Sequence, residues 1–520
     1  MNWARRQTIA TFYKAACEMP VVDCHTHVQD DLTNFDRALA EKNLAGTQAA
    51  MNAYPDYLID AAIANGRLVR RTMMDVAHGC FYSWFAEIAE GHRGRLDDII
   101  NIASPNTAAA RCAAGKYLIA ELRDSRFTEY AEWLRVMFRL YQGVEDLDPL
   151  DPANFDIVQE AILKQRNDPD FATGILSKHK ITAYVTSIEN RDRIPMEPRV
   201  RPTDVDLSHA THPEAYQMFD ANYLVWPEGA TDFGLFTAGY KYESEKYLLH
   251  LEQILGGTIE CVKTLKLLLE TFFWSILYSP SQNPTSRVRY TDLYHPMDYR
   301  LGTPYDTASV NSAIRYRKNC LRGEDLKQIC AVVTEVMLET LNEIGADLKS
   351  GGRHYGSCLQ IAIGVDYFMD PSREIQSFPR YAAGVAQDEY PVWTNYPDIE
   401  FEYIVAHDQL YEDMANAAKQ IGNVSVGPWW HFFRTHKIAA KMRDQLSMGP
   451  ISSIASGFTD ARFVEMLVAK YGSIRYAVSM ALADLADDPA SSMTIDHGLQ
   501  VMREILYINP IERHNLPLHT

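Results

Sequence analysis

Apolar and polar positions follow two different periods along this chain. Over residues 3–18, Ala4, Ile9, Phe12, Tyr13 and Ala16 recur at roughly helical spacing, which predicts a helix. That helix is expected under the mouth of the fold or against a partner subunit. An apolar run starting at Pro20 then predicts a buried strand over 21–24. From Asp30 to about Gln165 the pattern is helical almost throughout, over 36–42, 57–64, 82–89, 107–122 and 131–141, with no convincing strand between. Residues 181–187 read as a good strand. Residues 194–220 are rich in Pro and Asp and read as a loop, and 223–226 is a short strand candidate. A helical stretch over 247–277 is broken near Gly256-Gly257, and Glu324 opens a strong amphipathic helix to 343. Strand-like runs follow at 358–364, 400–406 and 423–427, with a short fourth at 451–455. Helix-like stretches at 410–419 and 462–471 alternate with them.

Strand alternating with helix over this length predicts a parallel sheet with crossover helices. With the first strand at residue 21 and the last near 455, a closed (β/α)8, TIM-like barrel is expected rather than an open sheet. The organisation then divides into three parts. Residues 1–29 supply the N-terminal helix and first strand. Residues 30–165 form a large helical insertion over the barrel mouth. Residues 166–520 complete the barrel, with an irregular excursion at about 279–324.

Composition narrows the classes. The 520 residues suffice for one large barrel with insertions, and 47% hydrophobic with 23% charged residues is the make-up of a soluble globular protein. A net charge of −18 argues against a nucleic-acid surface, which needs clustered Lys and Arg. The eight cysteines are scattered with no Cys-x-x-Cys pair, so neither a zinc ribbon nor a disulfide scaffold is indicated. The N-terminus lacks the apolar core of a signal peptide. No stretch reaches the ~18 uncharged apolar residues of a membrane span. The best run, 265–278, is too short and holds Lys266 and Glu270. A cytoplasmic protein without membrane or nucleic-acid partners is expected. No Gly-x-Gly-x-x-Gly follows any strand.

The chemistry-bearing residues stand at strand ends. His25 and His27 are two apart after the first strand, so their side chains share a face and can grip one divalent metal. The plainer alternative is a pair of ordinary turn histidines. Asp460, after the last strand, lies beside the first strand once a barrel closes, and could serve as ligand or general base. Arg462 suits a carboxylate, because its planar fork binds one bidentately. The alternative makes Asp460 a helix cap and Arg462 a solvated side chain. Trp429 and Trp430 are either core aromatics or a wall that stacks on a sugar. His407 ends the apolar strand 402–406, where it is either catalytic or a turn histidine bonded to Asp408.

Asp23-Cys24-His25-Thr26-His27 resembles the opening motif of the amidohydrolase superfamily. Together with Gly427-Pro428-Trp429-Trp430 and Gly457-Phe458-Thr459-Asp460-Ala461-Arg462, in that order, it resembles the uronate (glucuronate) isomerase family, a divergent branch of that superfamily. The resemblance covers the first ~60 and last ~170 residues. It implies that His25, His27 and Asp460 hold one divalent metal ion, zinc or manganese. It also implies that Arg462, Trp429 and Trp430 line the pocket of a hexuronate converted from aldose to ketose. Departures accompany it. Where the family has Asp-His-Tyr-Lys-Trp-Arg, this chain reads Pro55-Asp56-Tyr57-Leu58-Ile59-Asp60, keeping only Tyr57. Gln360-Ile361-Ala362 stands where the family has Gln-x-His, and His407 is the candidate to replace the missing histidine.

The leading expectation is a metal-dependent aldose–ketose isomerase acting on a small-molecule sugar acid, with Asp460 or Tyr57 moving the proton through an enediol and His407 as a further catalytic candidate. The alternative is a metal-dependent hydrolase of a carbohydrate-derived ester, lactone or amide, its water activated by Asp460. A third reading is a non-catalytic carbohydrate-binding protein. A homo-oligomer is expected.

Overall fold

The structure is a computed structural model. It describes residues 3–26, 129–165, 171–187, 215–221, 246–278, 288–295, 301–321, 323–363, 378–405, 408–429, 435–461 and 464–516. Among these residues seven strands form one sheet in chain order: β1 Val21–Thr26, β2 Ile181–Ser187, β3 Ala215–Asp220, β4 Val288–His295, β5 Ser357–Ile363, β6 Ile399–Val405 and β7 Val424–Gly427. Every pairing is parallel. Residues 454–461 then reach both outer strands. The Ala455 amide donates to the Val426 carbonyl at 3.0 Å, the Cys24 amide to Gly457 at 3.1 Å and the Asp460 amide to His25 at 2.9 Å. Parallel bridges Val426–Ile454 and Thr26–Ala461 complete the join. β1 and β7 thus each have a partner on their outer side, and the last stretch of the sheet brings Asp460 to the end of β1.

Strands covered on both faces need apolar residues at nearly every position. β1, β5, β6 and β7 are buried along their whole length. These are the strands that the sequence pattern shows best. The two it misses are β3 and β4. β3 lies in the stretch read as a loop, and β4 lies in the stretch read as an irregular excursion, which also carries a helix, Thr307–Arg317. Their sequences, Ala-Tyr-Gln-Met-Phe-Asp and Val-Arg-Tyr-Thr-Asp-Leu-Tyr-His, are too polar to register as buried runs. The expected strand at 451–455 is a 3-10 turn over Ile451–Ser453, and only Ile454 bridges to β7. Pro450 supplies no amide hydrogen there and favours a turn over a ladder. Residues 27–128 and 222–245 lie outside the described residues. These contain most of the expected helical insertion and the strand candidate at 223–226.

Helices pack on the strands as amphipathic spacing requires. α1 Trp3–Glu18 buries Ile9, Phe12 and Ala16, one apolar stripe at spacings of three and four. Its neighbour is the helix Val464–Ala486, so its apolar face is satisfied within the chain. α2 Glu324–Ser350 buries Leu326, Leu341 and Leu348 toward its ends and nearly every residue from Ile329 to Leu338 in its middle. It approaches the start of β5 so closely that a Cβ on Gly345 or on Gly356 would stand 1.9 Å from the Asp398 carbonyl oxygen. α3 Val464–Ala486 is buried almost all round, between α1, Thr435–Met448 and Glu129–Phe138.

The C-terminal residues turn inward. α4 Asn509–Arg513 and the residues after it bring Ile511 and Leu516 against Val22 and Cys24 of β1, Ala183 and Val185 of β2, and Cys358 of β5. β2 and β5 are not neighbours in the sheet, so the sheet curls around this cluster.

Candidate active site

β1 carries Asp23 and His25 to the junction with 457–461. His25 is 1% exposed. Its Nε2 faces Asp460 Oδ1 at 3.7 Å, longer than a hydrogen bond. Asp460 holds this position with φ of 51°, the left-handed region, where a short polar side chain is among the few tolerated. Asp460 stands ahead of α3 (Val464–Ala486), and its carboxylate is aimed at His25. The Asp460 side chain is 16% exposed, the most open of the groups gathered here.

Beneath this pair lies a tied layer. Asp23 is fully buried and accepts from the Thr459 hydroxyl at 2.5 Å, the Thr459 amide at 3.1 Å and the His25 amide at 3.2 Å. Burial pushes its carboxyl up to about 7, even though those three donors favour the carboxylate. Lys470 donates to the Thr459 carbonyl at 2.8 Å and Tyr471 to the Val22 carbonyl at 2.8 Å, which fixes α3 to β1 and to the loop before Asp460.

A second buried group leads away from His25. His25 Nδ1 lies 2.6 Å from Gln360 Oε1, and Gln360 Nε2 donates to Glu402 Oε2 at 2.8 Å. Glu402 is fully buried in β6. Its Oε1 accepts from Arg513 at 3.0 Å and from the Ser456 amide at 2.6 Å, and its Oε2 lies 3.2 Å from His514 Nε2. Burial alone would raise the Glu402 carboxyl. His514, Arg513 and the Ser456 amide outweigh it and hold the group well below the usual carboxylate range. Arg513 also donates to the carbonyls of Ile454 at 3.0 Å and Ser452 at 2.8 Å.

Among the described residues, two places could hold a metal ion. One is Cys358, Glu402 and His514, whose donor atoms lie within 4.8 Å of one another. There the carboxylate already has Arg513 as its counter-charge, and burial with Glu402 nearby pushes the Cys358 thiol well up, against the thiolate that a metal needs. The other is His25 with Asp460. A separation of 3.7 Å is spanned by one ion about 2 Å from each atom. The Nδ1 contact with Gln360 is the outer bond that ligating histidines make. Nitrogen and carboxylate oxygen suit zinc or manganese.

Of the site residues expected from sequence, the fold brings His25 and Asp460 together. Trp429 is buried and its indole donates to the Ala455 carbonyl at 3.0 Å, bracing β7 against the last stretch. A Cβ at Gly427 would stand 2.3 Å from that ring. His27, Tyr57, His407, Trp430 and Arg462 lie outside the described residues. Glu402, Ser456, Arg513 and His514 were not singled out by the sequence, and Gln360 entered only as the first residue of the segment compared with the family's Gln-x-His. Glu400 and Glu402 alternating inside an otherwise apolar strand are the signal that points to them, since a charge there must find a partner.

No protein-family model and no curated protein sequence matches the chain. Solved structures do. Uronate isomerase from Thermotoga maritima superposes with a TM-score of 0.64 at 11% identity, over 98% of this chain and 97% of that one. Glucuronate isomerase from Caulobacter crescentus gives 0.59 at 12% identity, over 100% and 96%. Uronate isomerase from Bacillus halodurans C-125 gives 0.55 at 13% identity, over 98% and 96%. The chain carries the fold of the uronate isomerases.

Proposed function

We propose that the protein is a metal-dependent aldose–ketose isomerase acting on a sugar acid of the hexuronate class. The observation that carries this reading is His25 Nε2 facing the Asp460 carboxylate at 3.7 Å, in a chain with the uronate isomerase fold. In this reading the fold is a closed (β/α)8 barrel, and residues 30–165 roof its mouth and bring Tyr57 to the pocket. His25, His27 and Asp460 hold one divalent ion. When bound there, the ion would supply positive charge to offset the negative charge that develops on the substrate oxygens. Asp460 or Tyr57 moves the proton between the two adjacent carbons, and His407 stands ready to assist. Arg462 binds the substrate carboxylate bidentately. Trp429 or Trp430 forms an apolar wall of the same pocket, which leaves the guanidinium poorly solvated and strengthens its hold on the anion.

Incubation with a hexuronate in heavy water tests the reading. Isomerisation by proton transfer places solvent deuterium on carbon in the ketose. Turnover of an ester, lactone or amide of the same sugar without deuterium on carbon supports the hydrolase alternative instead. A protein that consumes neither substrate and leaves the hexuronate unlabelled contradicts both.

A further inference from the structure

The hydrogen bonds between Arg513 and His25 run in one direction, and that direction has a chemical consequence. A guanidinium only donates. Arg513 and the Ser456 amide donate to Glu402, and an ionised carboxylate only accepts. Gln360 must therefore turn its amide nitrogen to Glu402, at 2.8 Å. Its carbonyl oxygen is left facing His25 Nδ1, at 2.6 Å. That oxygen only accepts, so Nδ1 must carry the proton. The lone pair of a neutral ring is then on Nε2, the atom that faces Asp460.

We propose that Gln360 and Glu402 are positioning residues that hold His25 in its Nδ1–H tautomer, with Nε2 presented toward Asp460, and that Arg513 from the C-terminal segment sets the direction of the chain. The contribution of Nε2 as a metal ligand rests on the reading under Proposed function; the tautomer does not. The arrangement is well placed to be rigid. Gln360, Glu402 and Arg513 are each about 1% exposed or less, and Arg513 is tied to two backbone carbonyls besides Glu402. A C-terminal segment more than a hundred residues from Glu402 in sequence thereby acts on His25 through Glu402 and Gln360.

The test uses full-length, metal-free protein labelled with 15N-histidine, at a pH that keeps the imidazole neutral. The His25 signals are assigned by their loss in His25→Asn. Wild-type His25 is expected to show a protonated Nδ1 and a bare Nε2. Gln360→Met keeps the length of the side chain and removes the acceptor, so the ring should shift toward Nε2–H. Titration with Zn2+ should then show affinity reduced 10- to 100-fold, with circular dichroism unchanged. Gln360→Glu keeps an acceptor and should keep the tautomer, which a purely space-filling role does not predict. Glu402→Gln removes the group that orients Gln360 and should act like Gln360→Met.

Wild-type His25 protonated on Nε2 overturns the proposal, whether or not any variant folds. So does a folded Gln360→Met protein with the wild-type tautomer and a Zn2+ affinity within threefold. A wild-type protein that binds no Zn2+ but shifts tautomer in Gln360→Met refutes the metal site and leaves the positioning role standing.

Discussion

The two ends of the buried polar network differ in how their charges are met. At Glu402 the carboxylate receives Arg513, the Ser456 amide and Gln360, with His514 beside it, and every member is closed to solvent. At Asp460 the carboxylate is partly open and stands 3.7 Å from an imidazole nitrogen, too far for a hydrogen bond. The two acids are joined through Gln360 and His25, so burial alone does not separate their roles. Saturation does. A buried carboxylate with a full set of donors is fixed and unreactive, whereas one facing a ring nitrogen across an ion-sized gap can take part in chemistry.

The sharpest way to break the comparison is to unbalance the saturated end. Arg513→Leu leaves Glu402 ionised and buried without its cation, and should cost about 3–5 kcal/mol in urea unfolding. A loss under about 1 kcal/mol would mean that Glu402 is not held as a buried ion. The middle layer comes next. Thr459→Val removes the hydroxyl from the fully buried Asp23 and should cost about 1–3 kcal/mol.

Acid should act in the same place. The folded Glu402 carboxyl sits below its ordinary 4.5, so the unfolded chain takes up this proton first as pH falls. The stability it contributes is complete above the ordinary carboxylate range and is lost as pH falls through that range toward the folded value. Thermal melts from pH 6 downward should fall more steeply for wild type than for Glu402→Gln. Equal slopes would show that another group carries the acid sensitivity. Asp460→Asn should have the smallest effect on stability, within about 0.5 kcal/mol, because the side chain is partly exposed and Asn tolerates the left-handed φ of 51° as Asp does. A loss comparable to that of Arg513→Leu would make Asp460 a structural residue and erase the contrast.

How much of this was legible in the sequence follows the same physics. β1, β5, β6 and β7 are apolar because both faces are covered, and their order along the chain already implies a parallel sheet. α1 shows its stripe because it buries one side, whereas the middle of α2 is buried at nearly every position from Ile329 to Leu338. β3 and β4 carry too many polar residues to be recognised before the sheet places them. His25 and Asp460 were visible because strand ends carry chemistry in this fold class and closure joins the last strand to the first. Arg513, His514 and Glu402 were not, since only the folded chain brings the C-terminal residues into the curled sheet. Within the sequence, Arg513 is one more basic residue in a polar tail.

The central claim is that the open end, not the saturated one, holds the ion. Elemental analysis of purified protein reads this directly when wild type is compared with Asp460→Asn and Cys358→Ser. The account predicts one divalent ion per wild-type chain, retained in Cys358→Ser and lost in Asp460→Asn. An ion lost from Cys358→Ser and kept by Asp460→Asn would place it beside Glu402 and His514 and contradict the account, as would wild-type protein that cannot be loaded with zinc or manganese.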